Sequence, residues 1–171
     1  MESEEHEFFI EVEDPGPVYD VADAFIQLHQ ELDVAFPRSF VDTHLSGITH
    51  LHNVNCGGDR PENCDLHDLL VARCKHYGTD IRTAKRRLLD GLSESRPYFA
   101  NVFPFGQDGA GGQYCFDNTM GDDPFIAKFD WDYHFLARSF DEFLARSKGE
   151  DVPPISEQEV TEFVERLPEL W

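Results

Sequence analysis

Apolar residues recur every three or four positions in the first half of the chain, a spacing typical of amphipathic helices. This pattern predicts a helix over residues 18–32 and another after Gly78. Their apolar stripes are Val21, Phe25, Leu28 and Leu32 in the first helix and Ile81, Ala84, Leu88 and Leu92 in the second. Pro37 suits the start of a short helix over residues 38–45. Asp65 could cap a further helix that carries Leu66, Leu69 and Leu70.

The hydrophobic period changes in the second half, where short aromatic and β-branched segments predict strands. These segments are residues 98–105, 113–117 and 124–131, separated by the turn sequences DGAGG and NTMGDD. The arrangement predicts an antiparallel meander. Residues 7–13, EFFIEVE, also alternate apolar and acidic positions, which predicts one more strand near the N-terminus.

Two closing helices begin at capping-box sequences, in which a hydroxyl and a carboxylate satisfy the amides of the first turn. Ser139 with Glu142, and Ser156 with Glu159, fit this motif. The residues expected to face inward are Phe140, Phe143 and Leu144 in one helix and Val160, Phe163, Val164 and Leu167 in the other. Helices followed by strands and again by helices predict an α+β fold, with an antiparallel sheet of about four to six strands and flanking helices at both chain ends. The length of 171 residues predicts one domain, residues 1–171.

The charge of the chain restricts its partners. Thirty-four acids against 14 bases give a formal net charge of −20. Nucleic acid and anionic membranes repel such a chain, whereas a basic protein is attracted to it. No apolar run is long enough for a membrane span, and the acidic start MESEEHEFF does not resemble a signal peptide. Four cysteines without an export signal predict reduced thiols and a cytoplasmic location.

A zinc site is the main chemical alternative. Seven potential nitrogen and sulfur ligands fall within 27 residues: His50, His52, Cys56, Cys64, His67, Cys74 and His76. Structural zinc sites usually supply two close ligand pairs, and this segment contains no Cys-x-x-Cys. We therefore predict no metal or cofactor. A zinc-containing hydrolase or nuclease that uses the Cys/His segment of residues 50–76 stays open as an alternative, as does zinc binding by Cys56, Cys64, His67 and Cys74.

The stretch YCFDNTMGDDPFIAKFDWDYHF, residues 114–135, concentrates five aspartates among aromatic side chains. Its spacing does not match a calcium loop. Asp130 and Asp132 would share one face of a strand, but a shared face alone does not make a catalytic pair. The chain also lacks a Gly-x-Ser-x-Gly elbow and a phosphate-binding glycine loop. These patterns favour a protein that is not an enzyme.

Five weak motifs, in order along residues 18–148, resemble the SUKH superfamily, which includes fungal Smi/Knr cell-wall regulators and many bacterial immunity proteins. The matching segments are residues 35–40 (AFPRSF), 55–62 (NCGGDRPE), 103–106 with 111–117 (FPFG and GGQYCFD), 129–132 (FDWD) and 137–144 (ARSFDEFL). The N-terminal strand and the helix after Glu150 would be additions to the family fold.

This resemblance implies a non-enzymatic domain that binds a protein partner. Many bacterial members neutralise a toxin inside the producing lineage, and nuclease toxins are frequent among their targets. We therefore predict an immunity protein that blocks the basic groove of a cognate toxin with an acidic surface. A regulatory protein-binding scaffold is the alternative within the same class. The predicted partner-binding residues are Asp117, Asp122, Asp123, Asp130, Trp131, Asp132 and Tyr133.

Overall fold

The computed structural model describes residues 19–54, 61–72, 79–92, 94–121 and 123–168, and the strand predicted over residues 7–13 lies outside these ranges. Six helices and six strands occur in the described ranges. The helices are α1 (Val21–Leu32), α2 (Arg38–Leu45), α3 (Ile81–Asp90), α4 (Arg96–Phe99), α5 (Phe140–Ser147) and α6 (Glu157–Arg166). The strands are β1 (His50–Leu51), β2 (Cys64–Leu66), β3 (Val102–Gln107), β4 (Gln113–Asp117), β5 (Phe125–Phe129) and β6 (Tyr133–Ala137).

The six strands form one sheet in the order β1-β2-β3-β4-β5-β6, and every neighbouring pair is antiparallel. The prediction of an α+β fold with an antiparallel sheet is confirmed. A register shift interrupts the β3–β4 pairing between Pro104 and Gly106. Gly106 is required there because a Cβ atom would lie 2.5 Å from the Cys64 sulfur and 3.0 Å from the Asp65 carbonyl oxygen.

Both faces of the sheet are covered, which explains why the central strands are almost continuously apolar. One face packs against α1, α2 and α5 around Phe40, Phe105 and Phe116. The other face packs against α3, α4 and α6 around Phe99 and Phe163. Each face therefore has its own apolar layer, one for each group of helices.

The helix boundaries follow capping signals in the sequence. The Asp20 and Asp80 side chains accept backbone N–H groups at the starts of α1 and α3. Ser156 and Glu159 form the complete reciprocal capping box at α6, and Ser139 accepts the Glu142 N–H at α5. Among the described residues, none of these helices has the length and apolar character needed to cross a membrane.

Three local predictions were wrong in the regions of β2, α4 and α6. Residues 64–66 form strand β2 instead of a helix capped by Asp65, because Asp65 pairs in register between His50 of β1 and Gln107 of β3. Residues 96–99 form α4, so β3 begins only at Val102. On α6, Phe163 is buried, but Val160 and Val164 are exposed because the helix contacts the sheet along a narrow stripe.

Burial of His67 makes the stability of this fold sensitive to acid. His67 is buried beside β3, and its Nε2 is 2.7 Å from Gln113 Oε1. Burial lowers the pKa of His67 to about 4, whereas an unfolded chain titrates near 6.5. Between these values the unfolded state binds the extra proton, so the free energy of unfolding falls as the pH falls from 6.5 to 4. We expect this group alone to remove about 3 kcal/mol over that window.

Urea unfolding of the wild type and of His67→Gln at pH 7 and pH 4.5 measures this contribution. All other titrating groups are common to the two proteins, so the difference between them isolates His67. The wild type should lose more stability on acidification than the variant. Equal losses would contradict a buried neutral His67.

Candidate partner-binding site

Two turns of the meander meet at one end of the sheet. In an antiparallel meander, alternate turns lie at the same end. The β3–β4 turn, residues 108–112, therefore lies beside the β5–β6 turn, residues 130–132, and Gln113 pairs with Phe129 between them. These turns follow β3 and β5, two of the three strands that the sequence predicts for the meander.

A cleft of about 770 Å³ opens between these two turns and the C-terminal half of α3. We call it the turn cleft. Leu88 and Leu92 form its apolar wall, and Trp131 stands at its rim. The opposite wall carries the carboxylates and Lys128. The cleft thus offers an apolar surface and carboxylates to one ligand, which is the composition typical of binding sites in proteins.

A buried lysine organises the charged wall. The Nζ atom of Lys128 lies 2.8 Å from Asp108, 3.0 Å from Glu62 and 3.9 Å from Asp130. Burial favours the neutral amine, but hydrogen bonds to Asp108 and Glu62 outweigh it and raise the pKa of Lys128. The Tyr114 hydroxyl also donates to Glu62, at 3.2 Å. Among the described residues of this wall, three carboxylates therefore surround one ammonium group.

The DGAGG turn positions Asp108 for this role. Its Oδ1 accepts the backbone N–H groups of Ala110 and Gly112, each at 2.8 Å, and its other oxygen accepts Lys128. Burial raises the pKa of Asp108, but these hydrogen bonds lower it overall, so the carboxylate stays charged. A Cβ atom at Gly112 would lie 2.7 Å from Asp108 Oδ2. Gly111 adopts a φ of +91°. Both glycines are thus needed for the shape of the cleft.

The β5–β6 turn presents Trp131 to solvent between two aspartates. The Asp130 N–H donates to the Asp132 carbonyl, and Asp130 Oδ1 accepts the Asp132 N–H. The Asp132 carboxylate accepts the Tyr133 N–H at 2.8 Å. The aspartates therefore close the turn, whereas the Trp131 side chain is 97% exposed. The prediction that residues 130–132 continue a strand was wrong, because β5 ends at Phe129.

Two of the predicted partner-binding residues are inside the protein. Asp117 is fully buried, and Tyr133 is 2% exposed. The Tyr133 hydroxyl donates to Asp117 Oδ2 at 2.5 Å, the Tyr98 hydroxyl donates to the same oxygen at 3.0 Å, and Thr119 occupies Oδ1. Asp117 and Tyr133 therefore form a polar network in the core, where a docking protein cannot contact them.

The remaining predicted residues lie at two different ends of the sheet. Asp130, Trp131 and Asp132 lie at the turn cleft. Asp123 is exposed in the β4–β5 turn, separated from them by the length of β5, about 17 Å for five residues. Asp122 lies outside the described residues. The six described residues of the predicted surface are thus divided between the core, the cleft and the opposite end.

The predicted zinc ligands are only partly described, since Cys56, Cys74 and His76 lie outside the described residues. Cys64 is buried, and burial raises the pKa of its thiol well above the ordinary value, which disfavours the thiolate. Within the described ranges, no group of three His, Cys, Asp or Glu side chains could hold a metal.

The architecture defines a class of protein: an α+β domain whose sheet carries helices on both faces and a charged cleft at one end. The family model SUKH_6, described as SMI1-KNR4 cell-wall, matches residues 22–144. The chain therefore belongs to the SMI1-KNR4 (SUKH) family, as the motif order predicted. No curated protein and no solved structure matches the chain significantly.

The family match ends at residue 144, within α5 and before α6. That α6 is an addition to the family core stays a prediction. Glu62, Asp108 and Lys128 line the cleft but were not among the residues predicted for the site. A signal was present in the turn DGAGG, since an Asp followed by glycines is typical of a turn built on a side-chain to backbone hydrogen bond. The convergence of three carboxylates on one lysine depends on strand register, which the sequence pattern did not define.

Proposed function

We propose that this chain acts as a single-domain immunity protein of the cytoplasm, which binds a cognate bacterial toxin and blocks its active or substrate-binding site. Family membership supports a protein-binding role. In this proposal the protein acts by binding and not by catalysis, and its docking face is the end of the sheet that carries the turn cleft.

The net charge of −20 supports a basic target. A nuclease needs a cationic groove for phosphates, and carboxylates on a rigid surface can occupy that groove. Complementary charge mainly accelerates encounter and selects the partner, whereas buried aromatic side chains hold the complex together.

The observation that carries the proposal is the exposure of Trp131. Tryptophan is enriched among the residues that dominate the energy of protein interfaces. At 97% exposure its indole has almost no contact with its own fold, and the turn is closed by hydrogen bonds of Asp130 and Asp132. The fold does not need this side chain, so a role in binding accounts for it.

Neutralisation is tested by co-expressing the chain with the toxin-domain protein encoded directly upstream, the expected genomic neighbour. Growth should recover, and the two proteins should co-purify with an affinity that falls as salt rises. A complex with no rescue of growth would contradict immunity. A salt-insensitive complex that does rescue growth would leave immunity standing and contradict the phosphate-mimic mechanism.

Trp131→Ala should weaken the toxin complex at least tenfold, the loss expected for an aromatic interface anchor. Stability should change by less than about 0.5 kcal/mol, because the side chain is exposed. Isothermal titration and urea unfolding measure the two quantities. A matched control is Met120→Ala, which removes another exposed apolar side chain at the opposite end of the sheet. Equal affinities for both variants would exclude the turn cleft as the docking face.

The family description, which refers to the cell wall, favours a regulatory scaffold as the second candidate. Such a protein would bind a cellular partner in the absence of any toxin.

The alternative of a zinc-containing hydrolase is tested by elemental analysis. Stoichiometric zinc that is lost in Cys64→Ser would support this alternative, and a purified protein without zinc would exclude it.

A further inference from the structure

We propose that the turn cleft is a receptor for one arginine side chain of the partner, stacked on Trp131 and directed at the carboxylates around Lys128. This inference rests on the proposed docking face and names the group that the face recognises.

The composition of the cleft suits a long side chain with an apolar stem and a cationic head. Leu88 and Leu92 line one wall, and their surface can cover methylene groups. The opposite wall carries Glu62, Asp108 and Asp130. Lys128, at 4% exposure, is held by these acids, so that in the described part of the cleft one ammonium group faces three carboxylates. The cleft volume of about 770 Å³ easily admits a single side chain together with the backbone that carries it.

Arginine fits this site better than lysine for two reasons. A guanidinium group is planar, stacks on an indole face and forms paired hydrogen bonds with carboxylates. It is also more weakly hydrated than an ammonium, so it loses less when it lies against leucine side chains. Trp131 supplies the aromatic face at the rim, and Asp130 is its neighbour in the turn.

Besides Lys128, a second cation in the cleft, Arg87, would repel such a ligand. Arg87 of α3 also lines the cleft, so the described part of the lining contains three carboxylates and two cations, Lys128 and Arg87. The proposal therefore makes two predictions of opposite sign. Removing the charge of Asp130 should weaken binding of a guanidinium, and removing the charge of Arg87 should strengthen it.

Trp131 fluorescence provides the measurement in the absence of any toxin. The chain contains two tryptophans, so Trp171→Phe leaves Trp131 as the only indole reporter. Titration with a doubly capped tetra-arginine peptide should change the Trp131 emission and saturate. A tetra-lysine peptide of equal charge should bind at least about threefold more weakly.

Two isosteric variants of the same turn separate the site from general attraction to an acidic protein. Asp130→Asn and Asp132→Asn remove the same charge, and an asparagine oxygen can accept the same turn hydrogen bonds. Only Asp130 lines the cleft. Asp130→Asn should weaken the arginine peptide about fivefold, Arg87→Gln should strengthen it, and Asp132→Asn should leave it nearly unchanged. Equal effects of the two asparagine variants, or equal affinity for the lysine peptide, would overturn the proposal.

Binding of the toxin is measured separately from binding of the arginine peptide. If the toxin binds Asp130→Asn as tightly as wild type while the arginine peptide does not, the receptor is real but the toxin docks elsewhere. If no toxin is found and the peptide discrimination holds, the arginine site stands without the immunity function.

Discussion

Asp117→Ala should lower the free energy of unfolding by about 3 kcal/mol. The Asp117 carboxylate is fully buried and accepts hydrogen bonds from the hydroxyls of Tyr98 and Tyr133 and from Thr119. Burial raises the pKa of Tyr98 to about 12 and the pKa of Tyr133 well above its ordinary value, so both hydroxyls keep their protons. Removal of the acceptor would leave these donors in the core without a partner, which is among the larger costs of a single substitution.

Urea unfolding of two control variants makes this result specific. Asp117→Asn keeps the shape of the side chain and one acceptor oxygen, so it should cost less than Asp117→Ala. Asp123→Ala removes an exposed aspartate of the adjoining turn and should change stability by less than about 0.5 kcal/mol. If Asp117→Ala and Asp123→Ala behaved alike, Asp117 would be a solvated turn residue, and a partner-facing role for it would become possible again.

Periodicity predicted most of the fold because its signals are long. Helices α1 and α3 span 12 and 10 residues and carry three or four apolar positions each. The central strands were recognisable from their aromatic and β-branched composition. Strands β1 and β2 have two and three residues, too few to show any period. β1 and β2 form because neighbouring strands supply their hydrogen-bond partners. A local sequence pattern contains no information about such partners.

The sequence predicts the candidate site less well than the fold, because residues that are close in sequence need not be close in space. Asp117 and Asp130 are 13 residues apart, but β5 and the turns around it separate the core from the cleft.

The sequence pattern also does not show which charged residues are buried. Lys85 on α3 is buried and donates to the carbonyl oxygens of Phe99, Ala100 and Val102 at 2.7, 2.8 and 2.5 Å. Burial lowers its pKa to about 8. Nothing in composition distinguishes such a residue from a solvated lysine.

The last residue of the AFPRSF motif, Phe40, has a structural role. Phe40 is fully buried, and its ring lies 4.8–5.7 Å, centroid to centroid, from six other rings. These rings belong to Phe25, Phe36, His44, Phe105, Phe116 and Phe140. Pro37 starts α2 three residues earlier, so the motif fixes the helix start that inserts Phe40 between α1, α5 and the sheet.

Phe40→Ala should therefore cost about 3–5 kcal/mol, because it removes a large buried side chain from a site where six rings cannot all move into the cavity. Phe40→Leu keeps much of the volume and should cost clearly less. Ile26→Ala, on the exposed side of α1, is the control for removal of apolar surface and should have little effect. Thermal and urea unfolding compare the three variants. A loss for Phe40→Ala no greater than for Ile26→Ala would mean that the motif serves binding and not packing, and the partner-facing side of the domain would then have to include α2.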